Sequence, residues 1–227
     1  MNAAPAVLWE DPHGLAVAKP PGMLTQGPPG GPITVEGWVR SHLRPDDPAS
    51  VYLGTVHRLD RPVSGVILWA KTPKAARRWA DQFARREVRK EYWAIVEGNE
   101  DRAGEVDVWD DWIGRPDAAG RAPVSQSETP GYLRATTRYA VDRGRGLPEG
   151  LTWMIFRPET GRTHQLRAQA ASRGMPILGD ATYGAKRPFG EGIALHSRSL
   201  SVLHPATLAR IEFEASLPPS WSNWAIS

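Results

Sequence analysis

Short alternating or continuous apolar runs dominate the pattern of this chain and predict mostly β-strands. The predicted strands cover residues 6–10, 15–19, 65–71, 92–98, 133–141, 151–156, 200–203 and 208–215. Strands mostly follow strands, and helices are inserted at irregular intervals. This order favours an α+β fold with flanking helices and a mixed, mostly antiparallel sheet over a regular βαβ winding.

Helices and one Gly-, Asp- and Arg-rich segment interrupt the predicted strands. Thr34 is placed to cap a first helix, and Thr72 followed by Pro73 gives the N-cap and first position of a second. A third helix is predicted over residues 163–173. The segment 99–130 is rich in Gly, Asp and Arg, and it is the best candidate for an excursion or a sub-lobe.

Composition is that of a globular protein. Of 227 residues, 41% are hydrophobic and 23% are charged, and this length fits one large domain or two small ones. No apolar run reaches the roughly 18 residues of a membrane span, and the first residues lack the positive region of a secretory signal. Cysteine is absent, which excludes disulfides and thiolate metal sites. We therefore expect a cytoplasmic protein.

Net charge says less than the placement of the charges. Lys and Arg total 28 against 25 for Asp and Glu, a net charge of +3 that is too small to establish nucleic-acid binding. Two basic clusters are more informative. One contains Arg77, Arg78, Arg85, Arg86, Arg89 and Lys90, and the other contains Arg157, Arg162, Arg167 and Arg173. They are either solvated faces or surfaces for phosphate groups.

Familiar hydrolase and metal motifs are missing from the sequence. There is no GxSxG elbow and no HExxH helix. Four histidines could still converge in space as the ligands of a His-based metal hydrolase. They are His57, His164, His196 and His204. Each one alone is more typical of a hydrogen-bonding core or loop histidine.

The segment HRLDRPVSG places a carboxylate, Asp60, between Arg58 and Arg61, just before a turn and a buried strand. Neighbouring arginines favour the charged form of a carboxylate, which suits a nucleophile better than a general acid. On this segment alone, a surface ion pair beside a turn is the simpler interpretation.

This segment resembles the active-site motif of the RluA-type pseudouridine synthases, and four other segments resemble motifs of that family in the same order. They are LAVAKPPGM at 15–23, KEYWAIVEG at 90–98, ETGRTHQLRAQAASRGMPILGDATY at 159–183 and LHSRSLSVLHP at 195–205. Five ordered motifs favour the nucleophile over the ion pair.

The resemblance implies the pseudouridine synthase fold, with an RNA-binding cleft, and a role for each matching residue. Asp60 would be the nucleophile, and Arg167 would pair with its carboxylate. Tyr92 would stack under the target uracil. Arg58 would enter the RNA stack where the base flips out, and Arg162 would help to bind the RNA. The resemblance leaves open whether Asp60 attacks the anomeric carbon or acts after a glycal has formed.

Two positions depart from the family pattern. Val63 stands where the family usually has Thr, and Gln169 stands where it usually has His. Neither position is the nucleophile or its partner. The departures therefore bear on local geometry and substrate choice more than on the chemistry.

The implied reaction isomerises uridine without gain or loss of atoms, so no cofactor or metal is expected. The expected partner is a stem-loop of ribosomal or transfer RNA, with no part for DNA or a membrane, and the protein is expected to be a monomer. Residues 1–227 are expected to form a single catalytic domain without a separate N-terminal RNA-binding domain. The alternative is a non-catalytic RNA-binding or ribosome-assembly factor of the same fold.

Overall fold

The computed structural model describes residues 4–28, 30–99, 106–142 and 146–224, and it gives this part of the chain an α+β fold. The strands are β1 (Ala6–Glu10), β2 (Gly14–Lys19), β3 (Gly54–Thr55), β4 (Ser64–Ala70), β5 (Arg89–Glu97), β6 (Val106–Ile113), β7 (Val124–Ser125), β8 (Leu133–Asp142), β9 (Leu151–Pro158), β10 (Leu195–Leu203) and β11 (Arg210–Glu214). The helices are α1 (Val35–Leu43), α2 (Pro73–Ala84) and α3 (Gln165–Ser172). The predicted fold class is confirmed.

Local capping chemistry places the first two helices where the sequence predicts them. The Thr34 hydroxyl accepts a hydrogen bond from the backbone N–H of Gly37 at 3.0 Å, and the Thr72 hydroxyl accepts one from Ala75 at 3.2 Å. Each bond satisfies a backbone donor that has no partner inside its helix. No helix in the described part of the chain has both the length and the apolar character to span a membrane.

The chain divides into two compact units, of which the first contains Met1–Arg89 and Ser197–Pro218. Its strands follow the order β1-β2-β4-β10, with β11 on β10 and β3 on β4. The pairs β1–β2, β2–β4, β3–β4 and β10–β11 are antiparallel. Helix α2 inserts Trp79 into a core that includes Leu68 and Val202, and the Trp79 indole N–H donates to the carbonyl of Leu203 at 3.0 Å.

The second unit contains Lys90–His196 and Pro219–Ser227, with strand order β5-β9-β8-β6-β7 in antiparallel pairs. The Trp109 ring lies 4.7 Å from that of Tyr139 and 5.2 Å from that of Phe156. Strand β6 lies within the segment 99–130, for which the sequence predicts an excursion or a sub-lobe but no strand; residues 100–105 of it lie outside the described residues. The inward face of β6 carries Asp111, which hid the apolar alternation of a strand.

Candidate active site

Asp60 lies in the first unit at the start of a tight turn. Its carbonyl accepts a hydrogen bond from the Val63 N–H at 3.1 Å, and Pro62 between them restricts the backbone. Strand β4 follows immediately, so the turn is fixed to the centre of the unit's sheet. The Asp60 side chain is partly exposed and Arg58 is exposed. The carboxylate is therefore held on a rigid turn at the surface of this unit.

The segment Lys19–Met23 holds this turn by its backbone. The Gly22 N–H donates to the carbonyl of Arg61 at 2.9 Å, and the Arg61 Nε donates back to the carbonyl of Gly22 at 3.0 Å. Gly22 has a φ of 78°, a left-handed conformation that favours glycine. Farther along, Thr25 exchanges two hydrogen bonds with Leu59, its hydroxyl donating to the carbonyl at 2.7 Å and accepting from the N–H at 3.3 Å.

Lys19 completes this arrangement from inside the unit. Its side chain is 1% exposed, and its Nζ donates to the carbonyls of Pro20 at 2.9 Å, Arg61 at 3.0 Å and Val63 at 2.7 Å. Burial lowers the pKa of Lys19 to about 7, the negative charge of Asp60 opposes that fall, and the positive charge of Arg61 adds to it. Lys19 is thus a buried amino group that ties both sides of the Asp60 turn to β2.

Gly65, just after the turn, leaves no room for a side chain. Gly65 has a φ of +116°, and a Cβ there would lie 2.2 Å from the carbonyl oxygen of Ser197 in β10. Only glycine allows β10 to approach this closely. Val63, the first departure from the family pattern, is buried, and its carbonyl rather than its side chain makes the contact with Lys19. The missing threonine hydroxyl therefore costs this turn none of its described hydrogen bonds.

In the second unit, Arg167 lies on α3 and is paired with Asp180. The Nε of Arg167 donates to one carboxylate oxygen of Asp180 at 2.6 Å and its Nη2 donates to the other at 2.9 Å. The two residues are 5% and 2% exposed. The guanidinium also lies 5.0 Å from the centre of the Tyr183 ring. This geometry fixes the plane of the guanidinium, as bidentate pairs do.

Tyr183 extends the contacts of Arg167 to the loop before α3. Its hydroxyl accepts from the Ala122 N–H at 2.8 Å and lies 3.2 Å from the Nδ1 of His164. His164 has a φ of 56°, so α3 begins at Gln165 and not at the predicted residue 163. Left-handed backbone at a histidine costs energy and is concentrated at functional sites.

A buried polar network anchors α3 to the sheet and accounts for the second departure from the family pattern. The side-chain amide of Gln169 accepts from the Thr137 hydroxyl and donates to the Asp111 carboxylate, both at 2.7 Å. Gln165 donates to the same Thr137 hydroxyl at 2.9 Å, and Arg173 pairs with Asp111 at 3.0 Å. Because an amide both donates and accepts, Gln169 satisfies these buried groups.

The remaining predicted residues of the second unit are Tyr92 and Arg162. Tyr92 lies in β5 opposite Phe156 of β9 and is partly exposed. Arg162 is also partly exposed, and its Nε donates to the carbonyl of Arg134 at 3.0 Å. The structure therefore places Asp60 and Arg58 in the first unit, and Tyr92, Arg162 and Arg167 in the second. The pairing of Asp60 with Arg167 stays a prediction.

The histidine contacts favour the structural interpretation over a metal hydrolase. Within the described ranges, one group of three possible ligands is close enough to hold an ion: Asp11, His13 and His204. The Nδ1 of His204 accepts from the backbone N–H of Ala206 at 3.2 Å and of Thr207 at 3.0 Å. Its Nε2 therefore carries the proton and donates to Asp11 at 2.7 Å. Both nitrogens of His204 are used to fasten two turns together.

His57 has a comparable structural role. Its Nε2 accepts from the backbone N–H of Leu68 at 2.9 Å, and its ring stacks on Phe83 with centroids 5.1 Å apart. This is the hydrogen-bonding histidine that the sequence favours at this position.

Sequence reasoning missed Lys19 and Asp180, although both stand in segments that it singled out. Lys19 opens the Lys-Pro-x-Gly motif and Asp180 belongs to the Gly-Asp-x-x-Tyr motif. The available signal was a lysine or an aspartate that stands in a family motif but has no catalytic role of its own. It points to a buried partner, because such residues are almost never fully buried unless they are paired.

Comparison with known proteins agrees with this fold and these motifs. The model of the RNA pseudouridylate synthase family matches residues 13–172. The dual-specificity RNA pseudouridine synthase RluA of Escherichia coli (strain K12) is 33% identical, over 92% of this chain and 91% of that protein. The tRNA pseudouridine synthase C of Salmonella typhimurium is also 33% identical, over 95% of this chain and 86% of that protein.

A solved structure shows the same likeness in three dimensions. Human RNA pseudouridylate synthase domain containing 1 superposes with a TM-score of 0.77 at 25% identity, covering 98% of this chain and 89% of that chain. Fold and motifs together define an RNA-modifying isomerase. The chain belongs to the RNA pseudouridylate synthase family, whose reaction is the conversion of uridine in RNA to pseudouridine. The family predicted from the five motifs is confirmed.

Proposed function

We propose that this enzyme isomerises a uridine in a stem-loop of transfer or ribosomal RNA, with Asp60 as its nucleophile. The observation that carries the proposal is the support of the Asp60 turn by Lys19, Gly22 and Arg61. The segment that contains Lys19 and Gly22 lies about 40 residues before the turn in sequence, yet it bonds to both ends of a turn whose own side chains include one carboxylate. A surface ion pair would not require such support, whereas a nucleophile must be held in one geometry.

In this mechanism the bond between the sugar C1′ and the uracil N1 breaks, the uracil rotates, and a bond forms between C1′ and the uracil C5. The proton on C5 is lost, and N1 regains one. Asp60 acts either on C1′ directly or through a glycal, and the support of its turn serves both routes. The target base leaves the RNA stack before it reaches the carboxylate, because its reacting atoms are shielded in a helix.

Arg167 is the proposed partner of the Asp60 carboxylate. Asp180 and Tyr183 hold one edge and one face of its guanidinium. A guanidinium has five N–H donors, and the two that bind Asp180 fix its plane. Tyr92 is proposed to stack on the uracil, Arg58 to occupy the space that the flipped base leaves, and Arg162 to contact the RNA backbone.

The relatives suggest the class of RNA. One is named for transfer RNA and another for dual specificity. We propose that the present enzyme acts on a transfer or ribosomal RNA stem-loop, since single-stranded loops expose the bases that proteins recognise most readily.

The decisive experiment maps pseudouridine in total RNA from cells with and without this protein, and then repeats the reaction with purified Asp60→Asn. We expect at least one site to depend on the wild-type protein, and Asp60→Asn to lose more than about a thousandfold in turnover while it still binds RNA. Asp46→Asn, which changes an exposed loop carboxylate of the same unit, serves as the control. Near wild-type turnover by Asp60→Asn would refute the nucleophile, and RNA binding without any isomerisation by the wild type would favour the non-catalytic alternative.

A further inference from the structure

Lys90 is a cation of the second unit to which the roles proposed above assign nothing. Side chains alternate along β5, so Lys90 and Tyr92 point to the same face, about 7 Å apart along the strand. Glu91 points to the opposite face, where it pairs with Arg157 at 2.8 Å and accepts from the Trp93 indole at 3.0 Å. The face shared by Lys90 and Tyr92 therefore carries a cation beside an aromatic ring.

The ammonium of Lys90 is only partly satisfied by protein. Its Nζ donates to the carbonyl of Thr160 at 2.8 Å, and this is its one hydrogen bond among the described residues. An ammonium has three N–H donors. Burial lowers the pKa of Lys90 to about 8, because partial loss of water disfavours a charge that no carboxylate in the described part of the chain neutralises.

Lys19 shows what a purely structural buried lysine looks like in the same chain. All three of its N–H donors are used by backbone carbonyls. Lys90 differs because two of its donors have no partner among the described residues, on a side chain that the carbonyl of Thr160 already holds at 2.8 Å. An anion is the ligand that would offset the cost of removing this charge from water.

The carbonyl that holds Lys90 belongs to a rigid loop. The Thr160 hydroxyl accepts from the Thr136 N–H at 3.0 Å and donates to Gln165 at 2.7 Å. Arg162, the proposed RNA contact, follows two residues later in the same loop. The positive charge of Arg162 thus lies two residues along the chain from Thr160, whose carbonyl binds Lys90.

We propose that Lys90 binds a phosphate group of the RNA backbone next to the uridine that stacks on Tyr92. A cation and an aromatic ring on one strand face can together receive the two parts of a nucleotide, its phosphate and its base. Lys90 is then a substrate-positioning residue, which sets the register of the RNA on the enzyme. This inference rests on the proposed function, since it assumes that Tyr92 contacts the target base.

The test compares Lys90→Met and Lys90→Arg with the wild type, using pseudouridine formation in unmodified transfer RNA transcripts and in ribosomal RNA fragments. Lys90→Met should raise KM about ten- to a hundredfold and change kcat less than about threefold, because it removes a charge-assisted contact to the substrate. The slope of log affinity against log salt should decrease in magnitude by about 0.7–0.9, the value for one lost phosphate contact. Lys186→Met, an exposed lysine of the same unit, gives the effect of losing any surface charge.

The Lys90→Arg variant separates binding from folding. A guanidinium stays protonated, so KM of this variant should stay level between pH 7 and 9, whereas KM of the wild type should rise as Lys90 loses its proton. A merely structural Lys90 would lower the thermal midpoint of Lys90→Met without changing the salt slope, and that result would overturn the inference. Wild-type enzyme that forms no pseudouridine in any RNA would instead refute the proposed function.

Discussion

The buried ion pair between Arg167 and Asp180 gives the sharpest test of how α3 is held. Asp180→Ala removes the carboxylate that receives two hydrogen bonds, at 2.6 and 2.9 Å, from a guanidinium with 5% exposure. The arginine cannot avoid this cost by losing a proton, because a guanidinium stays protonated in proteins. The substitution therefore leaves a charge that is buried with one partner fewer.

The expected cost follows from that geometry. Removing one partner of a buried pair destabilises a protein by about 3–5 kcal/mol. The contact of the guanidinium with the Tyr183 ring, at 5.0 Å, is present in both the wild type and the variant. It can therefore offset about 1 kcal/mol of this loss at most. For a chain of this length, 3–5 kcal/mol corresponds to a fall of about 6–20 °C in the thermal midpoint.

The assay is urea unfolding followed by circular dichroism, on Asp180→Ala, Asp180→Asn, Arg167→Met and the double variant Arg167→Met with Asp180→Ala. Asp180→Asn keeps one acceptor oxygen and should lose about half as much free energy of unfolding as Asp180→Ala. The double variant should be more stable than the sum of the single losses implies, because neither group is left unpaired. Asp180→Ala within about 1 kcal/mol of the wild type would show that the pair does not hold Arg167 in place.

Two further predictions concern the Asp60 turn. Lys19→Met should lower the free energy of unfolding by about 1–3 kcal/mol, because it leaves backbone carbonyls without a donor. Burial lowers the pKa of Lys19 to about 7, so above that pH the unfolded chain binds more protons than the folded one, and the stability of the wild type over Lys19→Met in urea unfolding should increase from pH 7 to pH 9. A difference that stays constant or decreases would contradict this cause. Gly65→Ala should lower the free energy of unfolding by more than about 3 kcal/mol, because its Cβ would lie 2.2 Å from a backbone oxygen at a φ of +116°. Gly30→Ala is the matched control, since the Cβ added there meets no atom within 4 Å. Equal thermal midpoints for the two variants would refute the prediction.

Local patterns were sufficient wherever local chemistry decides the structure. The capping hydroxyls of Thr34 and Thr72 act within three residues, so the starts of α1 and α2 could be predicted from short segments. The start of α3 could not, because the left-handed His164 ends the preceding loop two residues later than the periodicity indicates. Its contact with Tyr183 joins residues 19 positions apart.

Strand β6 was missed for a related reason. Its inward face carries Asp111, which is 1% exposed and would be a poor core residue by itself. Gln169 of α3 and Arg173, the residue that follows α3, supply the hydrogen bonds that make this burial acceptable. The hydrophobic pattern of a single strand cannot reveal hydrogen-bond partners about 60 positions away. Asp111 therefore hid the strand from the sequence analysis.

The same limit explains what could and could not be foreseen at the candidate site. The motifs identified Asp60, Arg167 and Tyr92 because family resemblance attaches a role to each. They did not show that Lys19 and Lys90, two lysines of different motifs, differ in how many of their N–H donors are bound by backbone carbonyls of the described residues. Lys19 donates all three of its N–H groups to carbonyls and so fixes a turn. Lys90 donates one to a described residue, and we expect the other two to bind a ligand. The number of donors left over, which only the folded chain reveals, is what separates the residue that builds the site from the one we expect to touch the RNA.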